Sequence, residues 1–253
     1  MTQQIFSLTT TETVSGVIID LMDPKPEQLK IHDIAWALSR LSRFGGHSLS
    51  RIPYSVGQHT VMVSRYVEEA LTPGTHHHEV FTDYLNNKIH ACAFEDTEGH
   101  DRWVGLLERA GDVPVDLRQM YAFHGLMHDF AEAYLQDLPT PVKRLPGVYE
   151  AYKLHENRLD ALIYEAFKLP YSPTKWEVNW EFGNCVVGWA DVYALLVEAY
   201  HMMPSRGLTW GIDLNRPTLS VLNDWKWPME PTEVYELVLA RYHELKPVPH
   251  PNC

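Results

Sequence analysis

Apolar residues recur along most of this chain at the spacing of helices. From Ile31 they fall at Ile31, Ile34, Ala35, Leu38 and Leu41, one stripe of an amphipathic helix that Gly45-Gly46 would end. Ser55-Val-Gly-Gln58 has the form of a capping box and opens a second helix, with Val56, His59, Val63 and Val67 on one side and Pro73-Gly74 beyond its end. Asp116 fits the N-cap of a third helix that carries Met120, Phe123, Met127, Ala131 and Leu135 until Asp137-Leu-Pro-Thr-Pro141 breaks it. Further helices are predicted over residues 148–167 and 232–245. The run Val186, Val187, Ala190, Ala194, Leu195 and Val197 is apolar on nearly every side, as in a buried helix. Only Val17-Ile-Ile-Asp20 suggests a strand, with Pro24 and Pro26 marking the turn after it. Residues 73–116 are polar and lack sustained periodicity, apart from short helical runs near 79–92 and 102–110, and read as an insertion. No internal repeat or low-complexity segment appears. The pattern predicts a mostly α-helical bundle, residues 1–253 as a single domain, with the 73–116 insertion and a C-terminal extension over 204–253.

Composition narrows the function classes. A chain of 253 residues, 45% hydrophobic and 21% charged, can bury a sizeable core. A net charge of -12 argues against a nucleic-acid surface, because phosphate backbones demand excess Lys and Arg. A small anion is still accessible to an acidic protein where a metal and a few basic residues converge. Cys92, Cys185 and Cys253 are widely spaced and form no Cys-x-x-Cys, which argues against a disulfide framework and a cysteine-based zinc site and fits a reducing cytosol. Residues 1–20 show no basic segment followed by an apolar core. No uncharged apolar stretch reaches the roughly 18 residues of a span. Neither a secretory signal nor a membrane association is expected, and the expected location is cytoplasmic. There is no GxxxxGK[ST] and no GxGxxG, so neither a P-loop nor a dinucleotide fold is supported.

One polar cluster stands out against the helical pattern. In Phe123-His-Gly-Leu-Met-His-Asp-Phe-Ala-Glu132, the pair His128-Asp129 offers an imidazole and a carboxylate at one point of a helix. Glu132 lies close to one turn further on and shares roughly the same face. Such a pair also arises by chance as a surface pair or a satisfied core histidine. His59, on the apolar side of its helix, is read either as a hydrogen-bonded core histidine or as a ligand. Asp191 lies within the apolar run, where an unpaired carboxylate would be costly, so its expected partner is a basic group, helix N-terminal amides or a metal. Together, His59, His128-Asp129 and Asp191 on three separate helices form a plausible ligand set with room for water and substrate. His76-His77-His78 follows Pro-Gly and is read as a solvated loop run, and His124 as a core histidine.

This ordered set resembles the HD-domain metal-dependent phosphohydrolases, and within them the bacterial 5′-deoxynucleotidases and the bacteriophage dATP triphosphohydrolases. The residues that carry the resemblance are Tyr54-Ser-Val-Gly-Gln-His-Thr-Val-Met-Val63, His128-Asp-Phe-Ala-Glu-Ala-Tyr-Leu-Gln-Asp-Leu-Pro-Thr-Pro-Val-Lys143 and Trp189-Ala-Asp-Val-Tyr193. The middle block is the most specific. The likeness covers roughly residues 31–70 and 117–203. It implies an HD-domain-like helical bundle in which His59, His128, Asp129 and Asp191 hold a divalent metal ion (Mn, Co, Zn, Fe, Ni or Mg). It implies that Glu132 orients or deprotonates the attacking water, that Arg43 holds the substrate phosphate, and that Phe44 lies against the sugar or base. Tryptophan is usual in that last place. Asp137 corresponds to a carboxylate near the sugar hydroxyls, and Lys143 is a candidate phosphate contact. His47, close to Arg43 in sequence, is open to a phosphate contact or a turn role. The expected activity is removal of phosphate from a 5′-(deoxy)nucleoside monophosphate. Alternatives are a dNTP triphosphohydrolase and, in another class, a non-catalytic nucleotide-binding HD protein. The expected partners are a small nucleotide and, in a homo-oligomer, further copies of the chain.

Overall fold

The computed structural model describes residues 8–92, 96–169, 178–212 and 220–246, and the protein is mostly α-helical. The chain divides into two compact units: Met1–Val61, Leu126–Tyr171 and Lys226–Cys253 make the first, and Met62–Gly125 and Ser172–Trp225 the second.

The first unit opens with a two-stranded antiparallel hairpin, β1 (Thr10–Glu12) and β2 (Ile18–Asp20), in which Thr11 faces Ile19. Helix α1 (Ile31–Leu38) packs against α10 (Pro231–Leu245) and the short α6 (Glu132–Leu135). Their contact buries Ile34, Ala35, Leu38, Val234 and Val238. The short α7 (Thr140–Lys143) lies on α8 (Val148–Ala166), which anchors itself through Leu159 and Ile163.

The second unit contains most of α2 (Val56–Ala70) and of α5 (Val115–Met127), with α3 (His76–Ala91), α4 (Thr97–Ala110) and α9 (Val178–Met202). Its core gathers Met62, Val63, Val67, Phe81, Leu85, Phe123, Phe182, Val186 and Tyr193. Gly125 lets α5 approach α2 closely, since a Cβ there would meet Val67 Cγ2 at 3.1 Å and Ser64 Cα at 3.3 Å. His124 is a core histidine, stacked on Trp180 with ring centroids 4.8 Å apart.

Several sequence expectations are corrected. The stripe beginning at Ile31 stops at Leu38 rather than at Gly45-Gly46. The next residues pair with the strand-like approach to α2: Arg43 N donates to Tyr54 O at 2.9 Å and Val56 N to Leu41 O at 2.9 Å. That pairing takes the backbone groups a longer helix would have used. Residues Arg43–Gly46 then form a separate 3-10 turn, with Phe44 and Gly45 at φ 58° and 59°. The third predicted helix is likewise not continuous, because α5 ends at Met127 and His128-Asp129 sits in tight turns instead of mid-helix. Asp116 lies inside its first turn rather than at its cap.

Residues 73–116 hold two full helices, α3 and α4, packed on each other. The histidine run is not a solvated loop. Thr75 caps α3 by accepting from His78 N at 3.1 Å, and His77 is 3% exposed, with Nδ1 2.5 Å from Glu69 Oε2. Finally, Trp180–Met202 is long and apolar enough to cross a membrane by length and composition, and 67% of that window is buried within the protein. The prolines at 170 and 173 and the Pro-rich tail lie outside the described residues.

Candidate metal centre

Helix α2 delivers His59. Ser55 Oγ accepts from Gln58 N at 3.2 Å and starts the helix. The reciprocal half of the predicted box is absent, because the Gln58 side chain turns to the segment before α10, donating to Lys226 O at 3.2 Å and accepting from Met229 N at 3.1 Å. Gly57 allows this first turn to seat tightly: a Cβ there would meet Val234 Cγ1 at 2.8 Å and the Leu38 backbone at 3.2 Å. Side-chain and backbone contacts therefore fix His59, which is fully buried, to α1 and α10.

His128, Asp129 and Glu132 come from the winding after α5. Phe130 N bonds Met127 O at 3.0 Å, Glu132 N bonds Asp129 O at 3.1 Å and Ala133 N bonds Phe130 O at 3.2 Å, all with three-residue spacing. Residues so spaced eclipse one another, which places Asp129 and Glu132 on one face.

The donor atoms of His59, His128 and Asp129 all lie within 4.8 Å of one another. Asp129 Oδ2 is 3.5 Å from His59 Nε2, 3.2 Å from His128 Nε2 and 3.8 Å from Arg43 Nη1. The two imidazole rings stand 5.2 Å apart, inclined at 58°. Lys143 Nζ lies 3.7 Å from Glu132 Oε1 and 3.4 Å from Glu156 Oε1. The turn carrying Arg43 meets the next loop, since a Cβ on Gly45 would lie 3.7 Å from Pro139 Cγ.

The electrostatics follow from crowding carboxylates in a half-dry site. Burial opposes the charged form of Asp129, yet His128, His59 and Arg43 outweigh it and hold that carboxyl well below the ordinary carboxylate range. Glu132, 4% exposed, is pushed up to about 10 by burial and by Asp129 and Asp137, which Arg43 and Lys143 only partly offset. Burial also raises Asp137, and takes Asp160 up to about 7 with the help of Glu156. Glu132 Oε2 and Asp160 Oδ1 are buried and find no hydrogen-bond partner among the described residues. Two imidazoles and a carboxylate form a mixed donor set of the kind borderline divalent ions take, and a cation would relieve the carboxylates around it. The residues therefore fit such an ion.

The structure brings together seven of the residues singled out in the sequence: Arg43, His59, His128, Asp129, Glu132, Asp137 and Lys143. Asp137 joins through the field it shares with Arg43, Asp129, Lys143 and His59. Phe44 is half-buried, with its ring centroid 5.7 Å from the Arg43 guanidinium carbon. His47 is exposed and its backbone closes the turn through a bond to Phe44 O at 3.1 Å. Asp191 lies on α9 in the second unit and is half-buried rather than buried. Glu156 and Asp160 were missed by sequence reasoning. The sequence showed only two acids four residues apart on a predicted helix; that they share the face of the buried Leu159 and Ile163 is a finding of the structure.

The chain matches no protein-family profile. It is 28% identical over 219 residues to YfdR, an uncharacterized protein of Escherichia coli, a match spanning 87% of this chain and 85% of that protein. It is 27% identical over 157 residues to an uncharacterized protein of Rhodobacter capsulatus, spanning 62% of this chain and 57% of that relative. The chain is thus similar, over most of its length, to a bacterial protein whose name assigns it no activity.

Proposed function

We propose that this chain is an HD-type, metal-dependent phosphohydrolase that removes phosphate from 5′-(deoxy)nucleoside monophosphates in the cytoplasm. The observation that carries this reading is the approach of His59, His128 and Asp129 to within 4.8 Å, with the buried Glu132 next to them. In this reading His59, His128 and Asp129 hold the ion, and Asp191, on the evidence of its sequence motif alone, is the fourth ligand. The ion would supply positive charge to the phosphate oxygens and the attacking water. Arg43, beside Asp129, presents a planar fork that can bond two phosphate oxygens. Glu132 takes the proton of the attacking water, being ionised once a cation offsets its acidic neighbours. The water oxygen bonds to phosphorus, the bond to the 5′ oxygen breaks, and that oxygen leaves as the nucleoside hydroxyl after taking up a proton. Lys143 offers a further cation to the phosphate.

A panel of nucleoside mono- and triphosphates, each incubated with Mn, Co, Zn, Fe, Ni or Mg and resolved by chromatography, tests this. Orthophosphate and nucleoside from deoxynucleoside monophosphates are expected. Triphosphate released from a dNTP would transfer the same site to triphosphohydrolysis. Nucleotide binding without turnover under every metal would contradict the enzymatic reading.

A further inference from the structure

We propose that Glu156 is a positioning residue, holding the Lys143 ammonium beside Glu132, and that Tyr152 fixes the loop that carries this lysine. The inference rests on the reading above of Glu132 as the group that handles the water.

A lysine ammonium is a point charge on a flexible four-carbon stem, so a lysine at the end of a short helix has no intrinsic direction. Lys143 closes the four-residue α7, yet its ammonium is contacted on three sides. Glu132 Oε1 lies 3.7 Å away, Glu156 Oε1 3.4 Å away and the Tyr152 ring centroid 4.7 Å away. Tyr152 also donates its hydroxyl to Gln136 O at 2.8 Å, at the point where Gln136 takes φ 70° and the chain leaves α6. Tyr152 therefore grips both ends of the loop over 136–143, which carries Asp137. Glu156 is itself held, because its other oxygen accepts from Lys153 Nζ at 2.5 Å. Its side chain is 12% exposed, less than either lysine. Tyr152 and Glu156 lie one turn apart on α8, and the next turns carry the buried Leu159 and Ile163. A rigid helix thus sets the direction of a flexible cation. Without Glu156, Lys143 would swing to solvent, which withdraws it from the phosphate.

Two measurements on the full chain test the inference. The first is competitive acetylation read by mass spectrometry, which needs no substrate. Glu156→Gln should raise Lys143 labelling about threefold, as an ammonium losing its carboxylate partner becomes easier to deprotonate. The lysines remote from Glu156 should not respond. The second is a double-mutant cycle on phosphate release. Glu156→Gln should lower kcat about tenfold with little change in KM, and that loss should vanish in a Lys143→Met background. Unchanged Lys143 labelling, or an equal loss in both backgrounds, would overturn the inference. Responsive labelling with no nucleotide hydrolysed under any metal would instead remove the functional reading and leave the Lys143 clamp standing. Melting curves of each variant separate these outcomes from loss of fold.

Discussion

Glu132 illustrates how much of this site is legible only at single-residue resolution. Its carboxyl is almost wholly buried, pushed up to about 10, and one oxygen lacks a partner among the described residues. A protein keeps such a group at a cost in stability, which active-site residues commonly impose. Glu132→Gln should therefore lower phosphate release by about two to four orders of magnitude, the usual range for loss of a general base. The same substitution should raise the melting temperature of the metal-free protein by about 2–4 °C, taking roughly 1 kcal/mol relieved in a chain of this size. Chelated samples in a thermal scan check the second half, and a lower melting temperature would mean the carboxyl is structural. The sequence singled out His59, His128, Asp129 and Glu132 by residue type and spacing, and Arg43 and Lys143 only through the resemblance; the structure brings all six together. It did not expose Glu156 and Asp160, whose role depends on which face of α8 turns inward.

At the scale of elements, two helices read as continuous in the sequence are interrupted where the chemistry sits. The stripe from Ile31 gives way to backbone pairing between residues 41–43 and 54–56, and that pairing places Arg43 beside the start of α2. Apolar periodicity cannot register this, because it records burial and not the competition for backbone hydrogen bonds. The stripe to Leu135 likewise hides the change to three-residue bonding after Met127. Gly57→Ala tests the seating of His59. The added methyl meets Val234 and Leu38, and should destabilise the protein by about 1–3 kcal/mol, as overpacked sites do, and weaken metal binding along with it. Denaturant titration and metal titration of the variant check both. In the second unit, His77 ties α3 to Glu69 on α2 and, as the leading cause, holds that carboxyl below its ordinary range. The stability this gives is complete above the unfolded carboxyl value of about 4.3 and is lost as pH falls through the depressed folded one. Because Glu69 is one-third exposed, the effect should stay below about 1 kcal/mol. The stability gap between the wild type and Glu69→Gln should narrow on acidification from pH ~6 to ~3, and a gap independent of pH would show that the pair carries no charge interaction.

On the scale of the whole molecule, the C-terminal segment read as an extension contains α10, which belongs to the first unit and braces α2 through Val234 and the backbone of Lys226 and Met229. A chain truncated after Trp225 should therefore lose metal affinity along with stability, by the same overlap of core and site seen at Gly57. The helical class, most helix positions and the site's residue types were readable from the sequence. The division into two units was not, since α2 and α5 each contribute to both and no linker composition marks the boundary. The central claim is that His59, His128 and Asp129 form a metal centre, and the most direct measurement is the divalent-metal content of the purified chain by mass spectrometry after dialysis against each candidate ion. About one ion per chain is expected for the wild type, with loss in His128→Ala and in Asp129→Ala, as ligand removal predicts. A folded wild-type chain that retains no divalent ion, or variants that retain as much as the wild type, would contradict it.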